Sequence, residues 1–243
     1  MPIYWLLRED SNLVSILTMT LLFGELLVLW RFWGRLVYGE THIFAHYGLV
    51  SNTKNGREFL QGLAIGFWLC LALFILEVLV GWIEVVTPSV NLIKITVEGF
   101  FSAVGISLAE ELLFRGWLLD ELQRDYEQKI CLWVSAIAYA IAHFFKPIEE
   151  IIRTAVTFPA LVLLGIALVL AKYRHGDRLG ICIGIHAGLV WGYYIVNVGR
   201  LVEYTNRVPV WVTGIDANPI AGLMGLFFLS GLTLGVISRD QCK

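Results

Sequence analysis

Apolar residues in this chain gather into seven runs, at 12–30, 59–83, 95–120, 130–145, 155–172, 179–198 and 219–237, each bounded by polar breaks. A helix that crosses a bilayer needs about 20 mostly apolar residues. Hydrophobic cores stop growing at about 250–300 residues, and soluble domains run at roughly 45–50% apolar and about 25% charged residues. A chain of 243 residues with 58% hydrophobic and 16% charged residues therefore has more apolar surface than protein alone can cover. Lipid takes the remainder. The expected fold is all-α: a polytopic membrane helical bundle of about seven transmembrane helices, one integral membrane domain over residues 1–243. The run at 130–145 is short and the run at 95–120 carries charges, so both belong against protein.

The same balance excludes other classes. A net charge of −2 gives no basic face for phosphates, so no nucleic-acid partner is expected. Cys70, Cys131, Cys182 and Cys242 have no metal-ligand spacing, and Cys242 is followed only by Lys243, so it forms no prenylation box. The first run lacks a basic leader and a small-residue cleavage site, and reads as a retained helix. Loop charges favour an external N-terminus and a cytoplasmic C-terminus: eleven Lys and Arg, among them Lys172, Arg174, Arg239 and Lys243, against six that include Arg8. The expected place is a bacterial cytoplasmic membrane or an internal membrane, with the bilayer itself as a partner. Trp30, Trp33, Tyr38, Trp82 and Trp211 fall near proposed helix ends, where amphipathic rings favour the headgroups. Asn55-Gly56 reads as a turn.

With so few charges available, ionisable groups at helix depth are the informative ones, because each must face a cavity or a partner. Glu110, Glu111 and Arg115 lie in one run, His143 in the next and His186 two runs later. Glu111 and Arg115 are four apart and stack on one face, suited to an ion pair. Glu110 is rotated about 100° away and has no local counter-ion. Alone, His143 suits a helix end bonded to backbone, and His186, within the small-residue stretch Gly184–Gly188, suits close helix packing. Together, two histidines and an unpaired glutamate on three helices are what a buried hydrolytic site requires.

These residues resemble a known pattern. Glu-Glu-x-x-x-Arg (Glu110, Glu111, Arg115), then aromatic-x-x-x-His (Tyr139, His143), then His186 after a Gly-rich approach is similar to the CPBP intramembrane protease family. That family includes the type II CAAX prenyl endopeptidases and bacteriocin-processing or immunity proteins. The resemblance covers about residues 97–198, and Tyr47-Gly48-Leu49 is also similar. It implies hydrolysis of a peptide bond in a membrane-associated or lipid-modified peptide or protein. Glu110 would be the general base with His143 assisting, and His186 would stabilise the oxyanion. Glu111, Arg115 and Tyr139 would support them, with no cofactor. The third motif departs from the family, which has Asn or Asp four residues after the histidine, where this chain has Val190. Trp191, Tyr194 and Asn218 are candidates to supply the missing polar group; Asn197 lies about 16 Å along the helix axis from His186.

Three other readings compete. A metal-dependent version would place zinc on Glu110, His143 and His186. A non-catalytic relative would serve as a membrane scaffold or immunity protein, favoured by Val190. A transporter would use the buried acids and histidines as a proton relay, but no inverted repeat is evident. His42 and His46 have zincin spacing without its glutamate, so an interfacial segment is expected there. Glu25 and Glu77 lie deep in runs one and two and are read as structural, and Asp216 as a solvated loop residue.

Overall fold

The computed structural model describes residues 11–88 and 90–238. Cys242, and with it Arg8, Arg239 and Lys243 of the charge tally, lies outside the described residues. The chain divides into two compact units, one up to His46 and one from Tyr47 onward.

In the first unit, α1 (Ser11–Tyr38) is followed by a single helical turn, α2 (Ile43–His46). Gly34 lies against Ile43, which is buried, and a Cβ at Gly34 would come within 2.8 Å of it. Trp30 is buried too, so it is a packing residue rather than the headgroup anchor its position suggested. Glu25 is exposed.

The second unit contains α3 (Thr53–Leu79), β1 (Ile83–Val85), α4 (Leu92–Glu111), a π-helical segment at Leu112–Leu118, and α5 (Leu119–Asp125). It continues through α6 (Gln128–Ala142), α7 (Ile148–Thr154), α8 (Phe158–Arg174) and α9 (Gly180–Val198). It ends with β2 (Val202–Tyr204), α10 (Val210–Thr213) and α11 (Leu223–Ser238). Each of the seven apolar runs overlaps a helix, and those at 59–83 and 130–145 continue a few residues past its end. Four stretches are long and apolar enough to cross a membrane: Thr53–Leu79, Leu92–Asp125, Ile148–Arg174 and Gly180–Val198; Gln128–Ala142 and Leu223–Ile237 are shorter apolar helices. The chain is an all-α polytopic membrane protein with one small addition, an antiparallel pairing of β1 with β2 that sets Glu84 opposite Glu203.

The α3–α9 crossing organises this unit. A Cβ on Gly62 or Gly66 would strike the carbonyls of Ile181 or Ile185, and one on Gly184 or Gly188 would strike those of Phe59 or Leu63. Backbone therefore meets backbone, the arrangement that small residues permit between membrane helices. Polar bonds fix the register at the start of both helices. Asn52 caps α3 by accepting from the Asn55 N–H at 2.8 Å, and the Asn55 side chain accepts from the Gly180 N–H at 2.8 Å. Asn55-Gly56 is therefore helical rather than a turn, because the Asn52 cap starts the helix just ahead of it. Gly48, at φ +98°, passes so close to the Asp177 carbonyl that no side chain fits, and its own carbonyl accepts from Leu179. Arg178 donates through Nε and Nη2 to both carboxylate oxygens of Glu58 (2.7 and 2.5 Å), and this bond, with the attraction of the charge, raises the Arg178 pKa.

Lys172 lies inside α8 and is 3% exposed, so it leaves the tally of loop charges. Asp216 is not simply solvated: Arg153 grips both its oxygens, at 2.7 and 2.9 Å, while also bonding Glu150.

Candidate active site

Glu110 and Glu111 close α4, at the point where the helix passes into its π segment. Glu111 and Arg115 are both fully buried, and the Arg115 Nη1–H donates to Glu111 Oε1 at 3.0 Å. The pairing read from four-residue spacing is therefore present. Arg115 also lies over the Tyr139 ring, with Cζ 4.2 Å from the centroid, and its Nη2 reaches the Gly165 carbonyl at 3.4 Å. Both contacts tie the π segment to α6 and α8.

The same Glu111 Oε1 accepts from Nδ1 of His186 on α9, at 2.8 Å. A carboxylate can only accept here, so the ring carries its proton on Nδ1 and turns Nε2 the other way. His143 caps the C-terminus of α6, and its Nδ1 donates to the Tyr139 carbonyl at 2.9 Å. That backbone bond again leaves Nε2 free. The two Nε2 atoms face one carboxylate oxygen, Glu110 Oε2, each at 3.9 Å. The backbone bond read for His143 is present through Nδ1, and it leaves Nε2 on the side of Glu110. Glu110 Oε2 is buried and has no hydrogen-bond partner among the described residues. Tyr139 stands between the histidines, 4.7 Å from the His143 ring and 6.2 Å from His186, edge-on to both.

Residues 92–192 match the family model described as type II CAAX prenyl endopeptidase Rce1-like. Neither a curated protein nor a solved structure matches the chain. The Rce1-like segment contains Glu110, Glu111, Arg115, Tyr139, His143 and His186, and lies close to the 97–198 stretch over which the motifs align. With the long apolar helices, it supports an integral membrane protein of the CAAX-protease type.

Beside His143 opens a cavity of about 260 Å³. Its lining is apolar at Ala160, Leu161 and Leu164 of α8 and polar at Lys146, Asp216 and Asn218. Val190 supplies no polar group to the site, and the candidates to stand in for one are placed as follows. Trp191 donates its Nε1–H to the Thr96 carbonyl at 2.9 Å. The Tyr194 ring lies over Gly99, and Asn197 is bonded to the Tyr193 hydroxyl. Asn218 accepts from the Ile220 N–H and shares the cavity with His143.

Among the described residues, no group of three or more His, Cys, Asp or Glu side chains is arranged to hold a metal ion. His46 ends the single turn of α2 and His42 precedes it. Glu77 is fully buried with neither oxygen bonded, and the sequence gives no sign that it differs from Glu25. Reading the sequence also missed Ser135 and Lys172, two buried donors that reach the π segment.

Proposed function

We propose that this protein is an intramembrane endopeptidase that cleaves a membrane-associated or lipid-modified peptide with a glutamate-activated water. The observation that carries the reading is the convergence of Glu110 Oε2 with the two Nε2 atoms at 3.9 Å. Such separations are too long for direct hydrogen bonds, yet a water about 2.8 Å from two of these atoms spans them. Glu110 takes a proton as that water attacks the scissile carbonyl, with the His143 Nε2 lone pair orienting the water. At rest His186 carries its proton on Nδ1, bonded to Glu111; on entering the step it takes a second proton from solvent on Nε2, that Nε2–H donates to the developing oxyanion, and Glu111 holds the imidazolium. Glu110 then returns its proton to the leaving amine. Arg115 is committed to Glu111, which leaves Glu110 free of a salt bridge to a permanent cation.

Glu110→Gln should abolish cleavage of a prenylated CAAX reporter peptide by purified protein that keeps its fold. Unchanged turnover would sink the proposal. The scaffold reading, favoured by Val190, requires instead that Glu110→Gln still complement a deletion strain. The hydrolysis is proposed without a resident metal. A zinc version is favoured by the Nδ1 anchoring of both imidazoles, the pattern that orients zinc-bound histidines. It predicts loss of cleavage on chelation and recovery on adding zinc, whereas the metal-free reaction is indifferent to both. The C-terminus is proposed to be cytoplasmic, in a bacterial cytoplasmic or an internal membrane.

A further inference from the structure

The π segment at Leu112–Leu118 follows Glu111 directly. Wide helical turns of this kind are rare and concentrate at functional sites, and something must hold them against reverting to α-helix. Here the Leu119 N–H bonds the Phe114 carbonyl, five residues back, as well as that of Gly116. Two side chains from other helices add to it at consecutive carbonyls. Ser135 Oγ of α6, fully buried, donates to Phe114 O at 3.2 Å. Lys172 Nζ of α8, 3% exposed, donates to Arg115 O at 2.6 Å.

Lys172 is the telling residue. Lysine is almost never fully buried without a paired charge, and among the described residues no carboxylate lies within ion-pair distance of this ammonium. A residue needed only to fill space there would be Met or Leu, with no ion to desolvate. What Lys172 gains is the backbone oxygen of Arg115, the residue whose guanidinium holds Glu111, which in turn holds His186. One chain of contacts runs from the Lys172 ammonium to the His186 ring.

We propose that Lys172, helped by Ser135, is a positioning residue: it holds the π segment in register, so that Arg115 and Glu111 keep His186 Nε2 facing Glu110. The inference rests on the proposed role of His186 and adds the elements that aim it. The test uses the full chain in nanodiscs with Lys172→Met and, separately, Ser135→Ala. Nitrogen NMR of the His186 imidazole reads its tautomer without any substrate, and steady-state cleavage of a prenylated CAAX reporter reads kcat and KM.

In Lys172→Met, His186 should lose its single Nδ1–H form and kcat should fall about tenfold, with KM within about twofold of the parent. Ser135→Ala should shift both in the same direction and by less. An unchanged tautomer, or a changed tautomer with unchanged kcat, overturns the proposal. So does a rise in KM alone, which would place Lys172 against substrate. If Lys172→Met does not fold, Ser135→Ala decides by the same criteria. If the parent protein cleaves nothing, the peptidase reading has failed and the His186 spectrum alone decides the positioning role.

Discussion

Replacing Arg115 with Met keeps the aliphatic stem and removes the cation from a site where it and Glu111 are both fully buried. Breaking a buried ion pair from one side costs about 3–5 kcal/mol, because the remaining charge is left desolvated. Loss of the Tyr139 ring interaction is included in that range, since a desolvated cation over an aromatic face is worth about 2 kcal/mol. The Gly165 bond, at 3.4 Å, is long enough to add little. Arg115→Met should therefore destabilise the protein by about 3–5 kcal/mol in reversible unfolding in mixed micelles. Adding Glu111→Leu removes the stranded carboxylate, and most of that stability should return, as when a buried ion pair is replaced by apolar side chains. Cleavage should not return with it, because His186 then has no acceptor for Nδ1. The double-mutant cycle reads the coupling directly. A cost below about 1 kcal/mol for Arg115→Met, or a double variant no more stable than the single one, would refute the reasoning.

Two further outcomes follow from geometry. Gly184→Ala should lower the melting temperature, since its Cβ would strike the Phe59 carbonyl, whereas Gly105→Ala, with nothing within 4 Å, should be neutral or stabilise by about 0.5–1 kcal/mol. Equal melting shifts in the two would show that the α3–α9 crossing does not need its glycines. The bond from Arg153 holds the Asp216 carboxyl below its ordinary value of 3.8, so that ion pair stabilises the fold above this pH and its contribution disappears as pH falls through the lower folded value. The acid limb of a melting curve should therefore flatten in Asp216→Asn, and an identical limb would show that the pair does not couple to folding.

How much of this site was legible in the sequence depends on how local each signal is. Glu111 and Arg115 are four residues apart, and helical geometry alone places them together. His143 and His186 were legible because polar groups at helix depth stand out in an apolar chain. The direction of their rings was not, because it depends on the Tyr139 carbonyl and on Glu111 from another helix. Lys172 shows the limit: at the end of an apolar run a lysine reads as a cytoplasmic flank, and only the carbonyl presented by the π segment makes it an interior residue. The π segment leaves no hydrophobic signature of its own, since LLFRGWL simply continues the apolar run of the helix before it. Pairing of β1 with β2 was hidden for a related reason. Two three-residue strands, far apart in the chain, have too few residues for a period to appear.

The interlock of α3 with α9 has a consequence for how the protein is made. Gly62 and Gly184 lie about 120 residues apart in the chain. At about 5–20 residues per second on the ribosome, α3 enters the membrane roughly 6–24 s before its partner is synthesised. For that interval the groove opened by Gly62 and Gly66 has no α9 to fill it. Glu110, Glu111 and Arg115 are inserted within the same interval, before His186 exists. The charges of the candidate site therefore spend their first seconds in the membrane without the helix that later completes it.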